Sequence, residues 1–336
     1  MNNILCHIDD FGLLKISGKK AGEFLQGQFT CDVNDVTEQH SCFGAYCNRK
    51  GRILTAFRLF IYQKDYYLCL PKAMLANTQT LLNKYAELVR VSIVDVSCEW
   101  QILGCAGEYM ISQLAEYLQL HVPVDIPNTQ YTTKIQPPTQ RQKAAVSFDR
   151  LMIRVPNAAG IPRVETFIQA SSNELTCLIQ NLLNTSICQL KDHHYWHWLN
   201  IMAGIAYIYP ETTERFTPHK LDYPALKAVS FTKGCYLGQE IVARTEHLSK
   251  NRQALYQINF HYTSAKRLDP IVNTQGKTIG HIIEIAVNQQ SKTIADKISA
   301  LVTLPLSDSV ENDRLYIKEP KPKHIVSTIM RIAYDT

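Results

Sequence analysis

The sequence predicts an α+β fold that ends in a small antiparallel β-barrel. Two patterns carry this expectation. Helical and strand-like stretches mix without regular βαβ alternation, and no Gly-rich phosphate loop follows a strand, which disfavours a doubly wound nucleotide-binding domain. From about 253 to 330 the pattern changes to short β-rich runs separated by polar turns, as in a small barrel. A chain of 336 residues has room for two or three domains. The division expected is an α+β region of two interleaved subdomains over 1–250 and a barrel over 251–336.

Taken in order, residues 11–17 form a strand ending in the turn Ser17-Gly18-Lys19-Lys20, and a short helix follows over 21–28 with Phe24 and Leu25 inside. Arg52 to Tyr62 is rich in β-branched and aromatic residues. With Asp65 marking a turn and Tyr66 to Leu70 returning, it reads as a hairpin. Residues 72–88 carry Met74, Leu75, Leu81, Leu82, Tyr85 and Leu88 at helical spacing. Strands are expected at 91–96 and 100–104, and an amphipathic helix at 110–120. The Pro-, Thr- and Gln-rich stretch 121–145 reads as loops or edge strands. A strand at 151–155 and helices at 174–183 and 195–203 follow. The barrel strands are expected at 254–261, 278–286, 298–304 and 314–317.

Hydrophobic residues make up 46% of the chain and charged residues 19%, the balance of a globular protein with a sizeable core. The first ten residues lack a basic region and a continuous apolar run, so no signal peptide is expected. No stretch approaches the roughly 18 uninterrupted apolar residues of a membrane span. The expectation is a cytoplasmic monomer with no membrane association. Ten cysteines are scattered without a disulfide pattern, and in a reducing compartment most serve as small buried hydrophobes. Cys42 and Cys47 lack a matching second pair for zinc. The net charge of +5 permits contact with RNA or an anionic cofactor without requiring it. Basic residues gather at Lys220, Lys227, Lys233, Arg244, Lys250 and Arg252, and again at Lys318, Lys321 and Lys323.

The segment richest in chemistry is Phe231-Thr-Lys-Gly-Cys-Tyr-Leu-Gly-Gln-Glu-Ile-Val-Ala-Arg244. Gly234 and Gly238 bracket Cys235 and permit a sharp backbone turn. A helix starting at Gln239 would place Cys235 just before its N-terminus, where the helix amides and nearby Lys233 favour a thiolate. The local argument leaves two readings open, a reactive thiolate and a structural cysteine in a tight turn.

Lys233-Gly-Cys-Tyr-Leu-Gly-Gln-Glu240 resembles the K-G-C-Y-x-G-Q-E signature of the YgfZ family, a branch of the folate-dependent aminomethyltransferase (glycine-cleavage T-protein) superfamily. Phe24-Leu-Gln-Gly-Gln-Phe-Thr-Cys-Asp-Val33 is similar to that family's L-Q-G-Q-x-T-x-D-V element. Cys47-Asn-Arg-Lys-Gly-Arg52 resembles the turn that follows it, and Leu199-Asn-Ile201, Ala203-Gly-Ile205 and Phe216-Thr-Pro218 fit the stretch before the signature. The resemblance covers nearly the whole chain and is weakest between about 105 and 190.

The resemblance implies the aminomethyltransferase fold with a folate-sized central pocket, closed on one side by the barrel. The cofactor it implies is folate, in the tetrahydrofolate form. The resemblance places folate between Trp196 and Phe11, with Gln239 and Glu240 hydrogen-bonding the pterin edge. The residues read equally well as a core aromatic on a helix for Trp196 and as the first turn of a helix for Gln239 and Glu240. Phe11 stands where bacterial members carry tryptophan; it can still stack but lacks the indole donor. The remaining motif positions are Lys233, Gly234, Tyr236, Gly238 and Arg244. Glycine-cleavage enzymes carry an acidic pair where this chain has Thr55 and Ala56, so the group that would handle the substrate amine is missing and turnover of the aminomethyltransferase type is not expected. The family instead implies support of iron–sulfur cluster assembly or repair and, through it, tRNA methylthiolation. Partners would be iron–sulfur proteins, tRNA-modifying enzymes or tRNA itself. Cys235 would be the functional thiol, as a nucleophile, a redox thiol or a cluster ligand. The other reading is a folate-dependent one-carbon transferase acting on another acceptor.

In His193-His-Tyr-Trp-His-Trp198 only His193 and His197 share a helix face, and no carboxylate or thiol joins them at an obvious spacing, so no metal site is expected. His219 and His247 flank the signature. Direct tRNA binding through a basic face around Lys250 and Arg252 is a third reading beside the two above, and Ser249 stands where the family pattern has glycine.

Overall fold

The computed structural model describes residues 3–121, 130–132, 149–169, 171–185, 188–248, 253–261, 264–287, 297–306, 314–317 and 324–334. The expected domain boundary at 250/251, together with Ser249, Lys250, Arg252, Lys318, Lys321 and Lys323, lies outside the described residues. So does most of the stretch 121–145.

The chain opens with β1 (Ile4–His7) and β2 (Phe11–Ser17), then α1 (Ala21–Gln26), a 3-10 turn at Val33–Asp35 and β3 (Cys42–Cys47). Next come β4 (Ile53–Tyr62), β5 (Asp65–Pro71), α2 (Lys72–Ala86), β6 (Ser92–Asp95), β7 (Gln101–Ala106) and α3 (Glu108–Leu118). β8 (Gln130–Thr132), β9 (Arg150–Ala158), β10 (Ile161–Ile168), α4 (Ser172–Thr185), β11 (Gln189–Lys191) and α5 (His193–Met202) complete the next stretch. After a 3-10 turn at Pro218–Leu221 come α6 (Gln239–Leu248) and the strands β12 (Gln253–Phe260), β13 (Pro270–Val272), β14 (Thr278–Val287), β15 (Ile298–Pro305), β16 (Tyr316–Ile317) and β17 (His324–Arg331).

These strands make three sheets. One is five-stranded, in the order β3-β4-β5-β2-β6; one is six-stranded, in the order β11-β1-β7-β10-β9-β8; and the last six strands close into a barrel. The α+β class and the C-terminal antiparallel barrel are therefore as the sequence predicts. The chain enters the six-stranded sheet with β1, leaves to build the five-stranded one, and returns with β7, so the two sheets interleave.

Several expected boundaries shift, each for a local reason. The β4–β5 hairpin turns at Gln63 and Lys64, both with positive φ (50° and 71°), the conformation of a two-residue type I′ turn. Asp65 is already paired with Tyr62 as the first residue of β5, so it does not mark the turn. Helix α2 stops at Ala86 and continues as one 3-10 turn to Val89, closed by left-handed Arg90. The tighter winding takes Leu88 off the inner face, and both Leu88 and Tyr85 are exposed.

The body is held across its middle by charges removed from water. Arg58 on β4 donates through Nε to Glu165 on β10 at 2.8 Å, with both side chains buried, so one ion pair ties the five-stranded sheet to the six-stranded one. Beside it, the buried Arg163 donates to the Asn200 side chain at 3.0 Å and to the Pro156 carbonyl. Burial pulls the Arg163 pKa down to about 10, with Glu165 opposing. Removing one partner of such a pair leaves an uncompensated buried charge.

The barrel docks on the body through polar ties. Arg267 pairs with Glu284 of β14 at 2.6 Å and with Glu211 at 3.0 Å, while its guanidinium lies 3.5 Å from the Tyr209 ring. Asp222 accepts the Leu255 amide of β12 at 3.1 Å. Burial pushes the Asp222 carboxyl up to about 6, while the Leu255 amide, Arg331 and Tyr334 pull the other way. Its folded pKa thus lies above the ordinary 3.8, so its contribution is fully present below that value and is lost as pH rises through about 6. Asp222→Asn keeps a carbonyl acceptor for Leu255. It is expected to exceed the wild type in stability by about 1–3 kcal/mol near pH 8 and to lose that lead near pH 4. Denaturant titration at both pH values checks this, and a difference independent of pH would show the carboxylate to be well solvated.

Candidate functional site

The three segments singled out in the sequence converge on one another. Lys233 is buried, and its ammonium donates to the backbone carbonyls of Phe29 at 2.9 Å and Cys31 at 2.7 Å. The Leu237 amide donates to the Gly27 carbonyl at 3.3 Å, and the Ser230 amide to that of Thr30 at 2.8 Å. The Thr30 hydroxyl, also buried, donates to the Ala228 carbonyl at 2.7 Å. The loop before α6 is therefore laced to the segment after α1.

Its other side rests on the turn at Asn48–Arg52. Gly238 has φ of +85° and sits so close to the Asn48 carbonyl oxygen that a methyl group would collide with it. Asn48 shapes this turn by accepting the Lys50 and Arg52 amides with its side-chain oxygen, at 2.9 and 3.0 Å. Gly51, itself at φ +65°, lies under Ile241 of α6. Only glycine satisfies both the dihedral and the clearance at Gly238.

Within this frame the motif residues divide in function. Gln239 turns its side-chain oxygen back to accept the Tyr236 amide at 3.1 Å, and exposed Glu240 meets Arg244 at 3.6 Å one turn later. Both therefore serve the start of α6. Tyr236 is buried, with the Lys233 ammonium 5.2 Å from its ring centre. The sequence places Lys233 beside the Cys235 thiol; the structure turns its ammonium inward onto carbonyls, and burial lowers its pKa against the opposing pull of Cys31, Asp32 and Cys42. Cys235 is exposed and, among the described residues, has no side-chain partner. Gly234 beside it faces open space. Cys235 lies four residues before the first residue of α6. By contrast Cys31, Cys47, Cys69 and Cys105 are buried, and burial pushes the Cys47 thiol up to about 12.

The two aromatic positions lie elsewhere, in the middle of the body. Trp196 on α5 is 2% exposed. One ring region packs on Gly104 of β7 so tightly that no β-carbon would fit there, and the Arg163 guanidinium sits 4.9 Å from the ring centre. Phe11 is buried edge-on against Tyr207 at 4.7 Å and tilted against His197 at 6.0 Å. As packed here, the two rings do not present two open faces for a sandwiched pterin; stacking on Trp196 requires Arg163 to leave it. Thr55 and Ala56 are buried in β4.

Sequence reasoning missed the groups around these rings. Arg58, Arg163 and Glu165 stand inside otherwise apolar strand runs, and that break in pattern was the available signal. It missed Asp9 and Asp10 as well. Asp10 meets His197 at 2.6 Å and Asp9 meets His193 at 2.6 Å, so carboxylates do join the two histidines, from the β1–β2 turn. His219 pairs with Glu246 at 3.2 Å, and the side chain of His247 lies outside the described residues.

Two substitutions follow from this geometry. Gly238→Ala forces a methyl group against Asn48 and is expected to cost about 1–3 kcal/mol, whereas Gly234→Ala, with open space, should cost under about 1. Equal losses in a denaturant titration of the two variants would contradict the docking described.

No protein-family model matches the chain. Among solved structures it resembles the glycine cleavage system aminomethyltransferase T of Bartonella henselae, with a TM-score of 0.74 over 97% of this chain and 85% of that one, at 15% identity. That likeness shows the fold. A tRNA-modifying protein YgfZ of Colwellia psychrerythraea is 28% identical over 271 residues, 81% of this chain and 76% of that one. The tRNA-modifying protein YgfZ of Hamiltonella defensa is 32% identical over 251 residues, 74% of this chain and 68% of its own. At this identity and coverage, the chain belongs to the YgfZ family, on the fold of the glycine-cleavage aminomethyltransferases.

Proposed function

We propose that this protein serves tRNA modification, as its relatives' name states for them, by supporting iron–sulfur proteins that carry it out, with Cys235 as the working thiol. One observation carries the reading. The contacts of Lys233, Tyr236, Gly238 and Gln239 account for the architecture of the signature loop, and Cys235 takes no part in them. A thiol held in the open by a loop built around it is placed for chemistry with a partner molecule. Helix α6 begins just beyond it and presents its amide end toward the same loop.

Reduced folate belongs to the proposal through the family resemblance and the fold. When bound it would supply one-carbon or redox chemistry. The ring pair Phe11 and Trp196 is closed as packed and does not fit a sandwiched pterin without rearrangement. The residues of this chain that act in the reading are the loop, which fixes the thiol, and the basic turn Arg49–Arg52 beside it.

The test is complementation of a bacterial strain lacking its own relative, with methylthiolated tRNA nucleosides measured by mass spectrometry. Wild type is expected to restore the modification and Cys235→Ala to restore less than about a tenth of it, at equal protein level. Full restoration by Cys235→Ala would remove the thiol from the function. Titration of tetrahydrofolate into the same two proteins is expected to give equal affinity, because the exposed Cys235 side chain makes none of the contacts that hold Phe11 and Trp196.

A further inference from the structure

The turn that receives Gly238 also forms the wall of an open basic trough. Asn48, Arg49, Lys50 and Arg52 line one side and Glu214 and Arg215 the other, enclosing about 700 Å3. Arg52 donates to the Arg215 carbonyl at 2.9 Å, which fixes the two sides together. The trough holds one acid, Glu214, whose carboxylate accepts from the Asn48 amide group at 3.1 Å.

Arg215 also lines a second recess of about 440 Å3, between the body and the barrel. Its wall carries Lys220, His281, Thr278 and Thr303, and an apolar patch of Leu268 and Ile279; no carboxylate lines it. Arg215 therefore borders both hollows. Arg52 and Lys220 are close enough that burial, together with the Arg52 charge, depresses the Lys220 pKa, and burial with the Lys220 charge does the same to His281. Among the described residues no carboxylate pairs with Arg49, Lys50, Arg215 or Lys220. Cations crowded together without counter-charges are unfavourable in the free protein, and a bound polyanion relieves that repulsion.

We propose that this groove binds a single RNA strand, its phosphodiesters on Arg49, Lys50, Arg52, Arg215 and Lys220, with one nucleoside in the recess against Leu268 and Ile279. A row of cations fixes a backbone without reading sequence, and an apolar wall beside hydroxyls suits a base and its ribose. The strand would enter beside the loop that carries Cys235, because Gly238 rests on the same turn that lines the trough. The contact surface is thus this groove, on residues distinct from Lys250 and Arg252. The inference rests on the proposed role in tRNA modification and names the surface through which tRNA is met.

The test is fluorescence anisotropy of a labelled, unmodified tRNA transcript, titrated with the full-length protein at several salt concentrations from about 50 to 200 mM. Each phosphate neutralised contributes about 0.7 to the slope of log K against log salt for a single strand, so a slope of about −2 to −4 is expected for wild type. Lys50→Glu should weaken binding at least about tenfold, and Lys220→Ala should lower the slope by about 0.7. Lys64→Glu is the control with the same charge change as Lys50→Glu. It sits at the far end of β4, a ten-residue strand, from Arg52, and should bind as wild type does. Circular dichroism verifies that all variants are folded. Failure of the wild type to bind, a flat salt response, or Lys50→Glu behaving like Lys64→Glu would each overturn the groove. None of these outcomes touches the complementation test of Cys235, which requires no direct tRNA contact by this chain.

Discussion

The site depends on one buried ammonium. Lys233 gives up hydration to donate to the carbonyls of Phe29 and Cys31. A buried lysine is costly unless its donors are satisfied. Satisfied here, it fastens the loop before α6 to a segment some two hundred residues earlier in the chain. The Asn48 turn then receives Gly238, and the direction in which α6 leaves the loop is set. The position of Cys235 follows from these contacts, although its own side chain makes none of them.

The same economy operates at larger scale. The two body sheets share a buried ion pair, Arg58–Glu165, where apolar packing alone would hold them without fixing their register. The barrel is fixed by Arg267, which answers Glu284, Glu211 and the face of Tyr209 at once. In each case a directional contact sets the placement, while three apolar clusters provide the bulk of the burial. The basic groove lies where these placements gather cations around a single acid, Glu214, which is engaged with Asn48.

Much of the fold could be read from the sequence because local patterns were strong. The apolar run of β4, the helical spacing of α3 and the short barrel strands each announced their elements. Element ends were less legible, since the turn at Gln63-Lys64 uses residues that do not advertise positive φ, and the tightening of α2 into a 3-10 turn after Ala86 has no glycine or proline to mark it. The signature loop was legible as a motif, but its division of labour was not. Nothing in the spacing of Lys233 and Cys235 reveals that one side chain points inward and the other outward. The pairing of Asp9 and Asp10 with His193 and His197 was hidden for a different reason: it exists only through the return of the chain to β1. Trp196 was visible as an aromatic on a helix, but its burial between Gly104 and Arg163 required the tertiary structure.

The central claim is that the signature splits into a structural part, led by Lys233, and a chemical part, Cys235. The most direct measurement is urea unfolding of Lys233→Met and Cys235→Ala beside the wild type. Lys233→Met leaves two buried carbonyls without a donor and is expected to lose about 2 kcal/mol or more, whereas Cys235→Ala should change stability by less than about 0.5 kcal/mol. Comparable losses in the two variants, or a greater loss for Cys235→Ala, would contradict the account and make the cysteine part of the framework.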